Sequence, residues 1–408
     1  MKPLSLRARW VLPMDTPAIE DGMVTISGGK IVEVGRAAEF SGPCEDLGDV
    51  ALIPGLVNAH THLEFSDQQA PLGPADEGLP AWIRSVIADR QRGNRDAKAA
   101  IQKGLAESLE FGVTTVAEIA TSPASYYYAD SDSPNLLLLA EAIGFSHARA
   151  DSVFQGLEHQ IAGYLEKCNI DSGVAGVGVS PHAPYTVSLK LLDTLIELAV
   201  ANRYPVAMHL AESEEELQLL RANDGPFQEL LDERSMWDPE VIPLGTRPLD
   251  YLKRLSHAEK ALVIHGNYLD DAEIDFLGQR RERLSVVYCP RTHNYFDHKA
   301  YPLEKMRAAG VRVVAGTDSR ASNPDLSVLA ELRTIARQFP TIPPEEVLAM
   351  GTSQAAEAIG WEAKVGTITP GKLADLVALP CEIDENPLTA ILESDTSPVG
   401  VWLLGQKL

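Results

Sequence analysis

Between about residues 52 and 362 the chain alternates short, nearly uninterrupted apolar runs with longer stretches in which apolar residues recur every three or four positions. The runs at 113–117, 174–180, 204–208, 261–264, 284–288 and 311–315 are predicted strands, and 136–143 suits either a strand or a helix. Ile101, Leu105 and Leu109 share one face of a predicted helix over 96–110, which Gly112 stops. Further helices are predicted over 188–200 and 213–221. Strands that are apolar throughout bury both faces, which implies a parallel sheet covered by helices. About eight strand–helix units over roughly 310 residues suit a (β/α)8 barrel of the TIM type. The run Ala51-Leu52-Ile53 reads as the start of its first buried strand, bent or broken by Pro54-Gly55.

Both ends have a different texture. Short β-rich runs at 9–12, 23–26 and 30–34 are separated by the turn signals Asp21-Gly22 and Gly28-Gly29, and 365–379 and 400–404 repeat that pattern. Neither end can bury a core alone, so 1–51 and 363–408 are predicted to form one small β-sandwich flanking the barrel of 52–362. The segments 121–135, with Tyr126-Tyr127-Tyr128, and 233–247 are expected insertions or lid loops. The tyrosines suit either a pocket wall or a packed surface loop.

Composition narrows the classes of function. Of 408 residues, 45% are hydrophobic, enough for a large core, yet no apolar run is long enough to span a membrane. The first residues lack the apolar core of a signal peptide, and Cys44, Cys168, Cys289 and Cys381 are scattered without metal-type spacing. Reduced thiols in a cytoplasmic protein are expected. A net charge of −23 disfavours nucleic acid and anionic membranes as partners and leaves a small-molecule substrate.

The chemistry gathers at strand ends. His60-Thr61-His62 follows the first strand, and residues two apart on an extended backbone project to one side. His182 follows the fourth strand, His209 ends the fifth with Glu212 three residues on, His265 ends the sixth and Asp318 the eighth. Singly, His209 and His265 suit hydrogen-bonded core histidines, Asp318 a helix cap, and Glu212 the start of a solvated acidic helix. Their joint recurrence at successive strand ends points instead to one site, because a barrel of this kind converges those ends. Histidines with a carboxylate suit zinc or ferrous iron with an open position for water.

At this point the chain resembles the amidohydrolase superfamily, and within it the one-metal deaminase branch. The resemblance rests on Pro54-Gly55-Leu56-Val57-Asn58-Ala59-His60-Thr61-His62, the stretch 180–186, and His209-Leu210-Ala211-Glu212. It rests also on Thr317-Asp318-Ser319 with Ala321-Ser322-Asn323, and on 371–376. It implies one Zn2+ (Fe2+ being the alternative) held by His60, His62, His209 and Asp318, with His265 beside the metal-bound water. Two-metal members use a modified lysine at the fourth strand end, where this chain has Ser180-Pro181-His182. The resemblance further implies that Asp318 and His265 take a proton from water, and that Glu212 protonates the ring nitrogen next to an amine-bearing carbon. His182 would contact the substrate.

The implied reaction is hydrolytic deamination of an adenosine-like compound: S-adenosylhomocysteine, methylthioadenosine, adenosine or aminodeoxyfutalosine. Related proteins carry a ribose-binding glutamate just before a tryptophan; here Trp82 is preceded by Leu79-Pro80-Ala81, which leaves Glu77 or Glu64 as substitutes. At the seventh strand Arg291 and His293 stand in an unusual Cys-Pro-Arg-Thr-His-Asn sequence, where they either read the substrate or hold the loop. The alternatives are triazine dechlorination or cyclic-amide opening at the same metal, and a non-catalytic scaffold. A homodimer is compatible with the family.

Overall fold

The computed structural model describes residues 3–93, 96–121, 133–167, 175–381 and 386–408. Eight parallel strands pair in chain order: Leu56–Thr61, Val113–Ala120, Asn135–Ala142, Ala175–Pro181, Val206–Leu210, Ala261–His265, Leu284–Tyr288 and Arg312–Ala315. Almost every residue in them is buried, as runs covered by helices outside and packed side chains inside require. The ambiguous run at 136–143 is the third strand. Flanked on both sides by parallel neighbours, its leucines bury on both faces.

The ring closes at the C-terminal ends of the first and eighth strands. Thr61 bridges Asp318 in parallel register, and the amides of Thr317 and Asp318 both donate to the His60 carbonyl at 3.1 Å. Asn58 fastens the same seam. Its amide donates to Thr317 Oγ1 at 2.8 Å and its carbonyl accepts from the Thr317 amide at 3.1 Å.

Both chain ends share a second eight-stranded sheet, apart from the barrel. Its order runs Gln406–Lys407, Gly400–Leu403, Leu376–Pro380, Val50–Pro54, Leu4–Val11, Ile19–Ser27 and Lys30–Arg36, with Glu45–Asp46 beside Leu4–Val11. Leu6, Val24, Ile31, Leu52, Leu376 and Trp402 form its core. One expectation is corrected here. The run Ala51-Leu52-Ile53 does not begin the histidine strand; it pairs in this outer sheet with Leu4–Val11 and Leu376–Pro380. The chain crosses to the barrel at Gly55, where a Cβ would lie 2.0 Å from Thr114 Oγ1, so only glycine fits.

The helices start where the sequence places caps. Asp96 accepts from the Ala99 amide at 3.1 Å ahead of Ala97–Glu110, and Ser188 from Leu191 at 3.2 Å ahead of Leu189–Asn202. Ser213 does the same for Glu214–Ala222. The 233–247 segment joins helices Pro226–Glu233 and Pro248–Leu255. Tyr126, Tyr127, Tyr128 and Cys168 lie outside the described residues; Cys44 and Cys289 are free thiols, and Cys381 is buried. No described helix is long and apolar enough to cross a membrane.

Asp375 ties the two sheets together. Its buried carboxylate accepts from Asn135 Nδ2 of the third barrel strand at 2.7 Å and from the Leu404 amide at 2.8 Å. Its own carbonyl accepts from the Gly55 amide at 2.8 Å. Asp375→Ala leaves two buried donors short of an acceptor and should cost about 2–4 kcal/mol in urea unfolding. A loss under about 0.5 kcal/mol, within the range of an ordinary surface substitution, would contradict this role.

Candidate active site

The barrel brings His60, His62, His209, His265 and Asp318 together. His62 Nε2 lies 3.4 Å from His209 Nε2, and Asp318 Oδ1 lies 3.6 Å from His60 Nε2 and 3.8 Å from His62 Nε2. One ligand atom from each of His60, His62 and His209 falls within 4.8 Å of the others, as does one from each of His60, His265 and Asp318.

The backbone around this cluster is specialised. Ala211, His265 and Asp318 all adopt left-handed conformations, with φ of 55°, 67° and 56°. Such conformations cost energy for residues other than glycine and persist where surrounding contacts hold them. Here Glu216 holds the first: its carboxylate accepts from the Ala211 and Glu212 amides at 2.8 and 3.0 Å. Thr61 and Thr317 hold the third through the Asp318 carbonyl, at 2.8 and 3.1 Å. Ser322 donates to Asp318 Oδ2 at 3.0 Å, which leaves Oδ1 facing the histidines.

Protonation states follow from burial. It holds the imidazoles of His60, His62, His209 and His265 below the ordinary histidine value, so all four are neutral near pH 7. His209 Nδ1 sits 3.0 Å from the His182 carbonyl, so it carries the proton and its Nε2 presents a lone pair inward. Both ring nitrogens of His60 and Nδ1 of His62 are buried without a hydrogen-bond partner. Two ligands about 2.1 Å from a tetrahedral ion stand roughly 3.4 Å apart, which the His62–His209 separation matches. Neutral, unpartnered imidazoles beside a carboxylate oxygen therefore fit a divalent metal.

A cavity of about 1120 Å3, measured out to its open mouth, reaches His62, His209, Glu212, His265 and Asp318. Glu212 is not part of a solvated acidic helix. It precedes the helix, is 5% exposed, and its Oε1 lies 3.4 Å from His265 Nε2. Burial, then the charges of Asp318 and Glu216, push its carboxyl well above the usual value. His182 and Trp82 line the same cavity. His182 Nδ1 is engaged with Thr186 Oγ1 at 2.6 Å, and the Trp82 indole N–H donates to the Ala321 carbonyl at 3.1 Å. From 233–247, Arg234 and Met236 reach the lining.

Two expected substrate contacts stand elsewhere. Arg291 is clamped by Glu331 at 2.6 Å and by both oxygens of Asp325 at 2.7 and 3.0 Å, a fork-to-carboxylate match that holds the loop. His293 packs among Tyr288, His298 and Tyr301 and does not line this cavity. Glu77 is exposed and Glu64 pairs with Arg90 at 2.5 Å; neither lines the cavity.

Glu141, which the sequence does not single out, is next to last in the third strand and faces the cavity with a side chain 4% exposed. The available signal was a lone acid in the apolar run 136–143. Glu216 was hidden in the same way by its acidic neighbours.

The Amidohydrolase family profile matches residues 51–408. The chain belongs to the amidohydrolase family. This amidohydrolase is thus a hydrolase of carbon–nitrogen bonds, and its histidine cluster is a divalent-metal site. It is 28% identical over 429 positions to a 5-methylthioadenosine/S-adenosylhomocysteine deaminase of Moorella thermoacetica, covering 95% of this chain and 90% of that one. Its fold is similar to that of Helicobacter pylori aminofutalosine deaminase in complex with methylthio-coformycin, with TM-score 0.87, 22% identity, and 99% and 100% of the two chains covered. It is similar too to the zinc-complexed atrazine chlorohydrolase of Arthrobacter aurescens TC1, with TM-score 0.80, 19% identity, and 99% and 95% covered.

Burial raises the Glu141 carboxyl to about 8. The unfolded chain ionises there near 4.5, so between these values the folded state binds the extra proton and stability falls as pH rises. Glu141→Gln carries no such proton. Wild type should therefore lose ground to the variant by a few kcal/mol between pH 5 and 8, read by urea unfolding at both pH values. A pH-independent difference would contradict the shift.

Proposed function

We propose that this amidohydrolase is a hydrolytic deaminase of an adenosine-like amino-heterocycle, working with one zinc ion held by His60, His62, His209 and Asp318. The observation that carries this reading is Glu212, a buried carboxyl whose pKa burial raises, 3.4 Å from His265 and opening on the same cavity as the histidine cluster. When bound, zinc lowers the pKa of water from 15.7 to about 7 and so supplies hydroxide near neutral pH.

The side chains do the rest. The Asp318–His265 pair would accept the one proton that water gives up. Glu212 donates a proton to the ring nitrogen beside the amine-bearing carbon and makes that carbon electrophilic. Once the carbon–oxygen bond has formed, Glu212 takes a proton back from the new hydroxyl, the proton taken from water passes to the amine, and the exocyclic carbon–nitrogen bond breaks to release ammonia. A carboxyl needs a raised pKa to arrive protonated at neutral pH, which burial provides here. His182 lines the cavity and would contact the ring, and Trp82 adds apolar surface to the wall. The names of the Moorella thermoacetica and Helicobacter pylori proteins support the adenosine-like class, and the cavity is large enough for a heterocycle with a substituent.

Glu212→Gln should keep stoichiometric zinc while kcat falls about a hundredfold to ten-thousandfold. Full activity in that variant would remove Glu212 from proton transfer. His60→Ala should lose zinc and activity together, measured by metal analysis of the purified protein. Retained zinc would remove His60 from the ligand set.

A further inference from the structure

Glu141 has no part in the reaction above, yet its environment is unusual. Its side chain is 4% exposed and faces the cavity, and the closest polar partner recorded for it is His182 Nε2 at 4.0 Å, beyond hydrogen-bond length. No described residue donates a hydrogen bond to it. Its carboxyl opens on the cavity and not on protein donors, so a ligand entering there can supply the partners it lacks. We infer that Glu141 is a specificity-determining residue that bonds hydroxyl groups on the substituent of the heterocycle, so that the pocket favours a nucleoside-like substrate over a free base. This rests on the deaminase reading and adds the substrate's second recognition point.

Three observations favour hydroxyls over an ammonium. The Arg90 and Arg234 guanidiniums line the same cavity, which disfavours another cation there. Among the described residues Arg234 pairs with no carboxylate. Burial raises Glu141 to about 8, so near pH 7 it presents a neutral carboxyl, able both to accept from and donate to a pair of hydroxyls. Ile143 and Val86 add apolar surface to the wall, suited to the carbons of a sugar and its tail. Glu141 stands at the end of the third strand and His182 just past the fourth, so one ligand can touch both.

The test compares wild type, Glu141→Ala and Glu141→Gln on adenosine, 2′,3′-dideoxyadenosine and adenine. It also measures calorimetric binding of inosine and 2′,3′-dideoxyinosine. Wild type should prefer adenosine to its dideoxy analogue by about tenfold to a hundredfold in kcat/KM. Glu141→Ala should abolish that preference, mainly through a raised KM for adenosine, and cost far less on the dideoxy compound; Glu141→Gln should fall between. Equal losses on both compounds, or an unchanged preference, overturn the inference. If wild type releases no ammonia from any of them, the deaminase reading fails. The binding arm still decides the role of Glu141: tighter inosine than dideoxyinosine binding, lost in Glu141→Ala, supports it, and no difference in wild type overturns it.

Discussion

Everything at the catalytic end depends on the seam between the first and eighth strands. The His60 carbonyl accepts from both the Thr317 and Asp318 amides, and Asn58 locks Thr317 from the other side. This seam sets the distance between the His-x-His pair and Asp318, and so decides whether three imidazoles and a carboxylate oxygen can meet one ion. It also explains the asparagine two residues before the first histidine, which has no chemical task of its own.

The same convergence makes the metal-free site unfavourable. Buried imidazole nitrogens without partners cost about 1–3 kcal/mol apiece, and the cluster holds several of them. An ion that takes up their lone pairs reverses the cost, so binding energy becomes folding energy at that end of the barrel. Left-handed residues at three strand ends add strain of the kind expected where geometry serves chemistry. Glu212 and Glu141 follow the same logic. Both are acids buried in one cavity with pKa values raised by burial, one proposed to face the reacting ring and the other inferred to face its substituent.

Much of this was legible in the sequence because the barrel repeats one rule. Apolar runs bury on both faces, and the first polar residue after each run lands at the site. His60, His62, His209, His265, Glu212 and Asp318 could be gathered that way before any fold was known. The rule fails where neighbours decide. Ala51-Leu52-Ile53 looks like a barrel strand, yet it pairs with strands from both chain ends that lie far away in sequence. Arg291 follows its strand at the expected place, but Asp325 and Glu331, more than thirty residues on, capture its guanidinium. Glu141 was hidden inside an apolar run, and only the structure shows which way it points.

The central claim is that the histidine cluster and Glu212 together replace an amine on a heterocycle with oxygen from water. The most direct test is turnover of an adenosine-like substrate by the zinc-loaded enzyme in 18O-enriched water, with ammonia and product mass measured together. One ammonia per product, with a single 18O in that product, is the predicted result. A chloride or a ring-opened carboxylate from other substrates, with no ammonia from any amino-heterocycle, would contradict the claim.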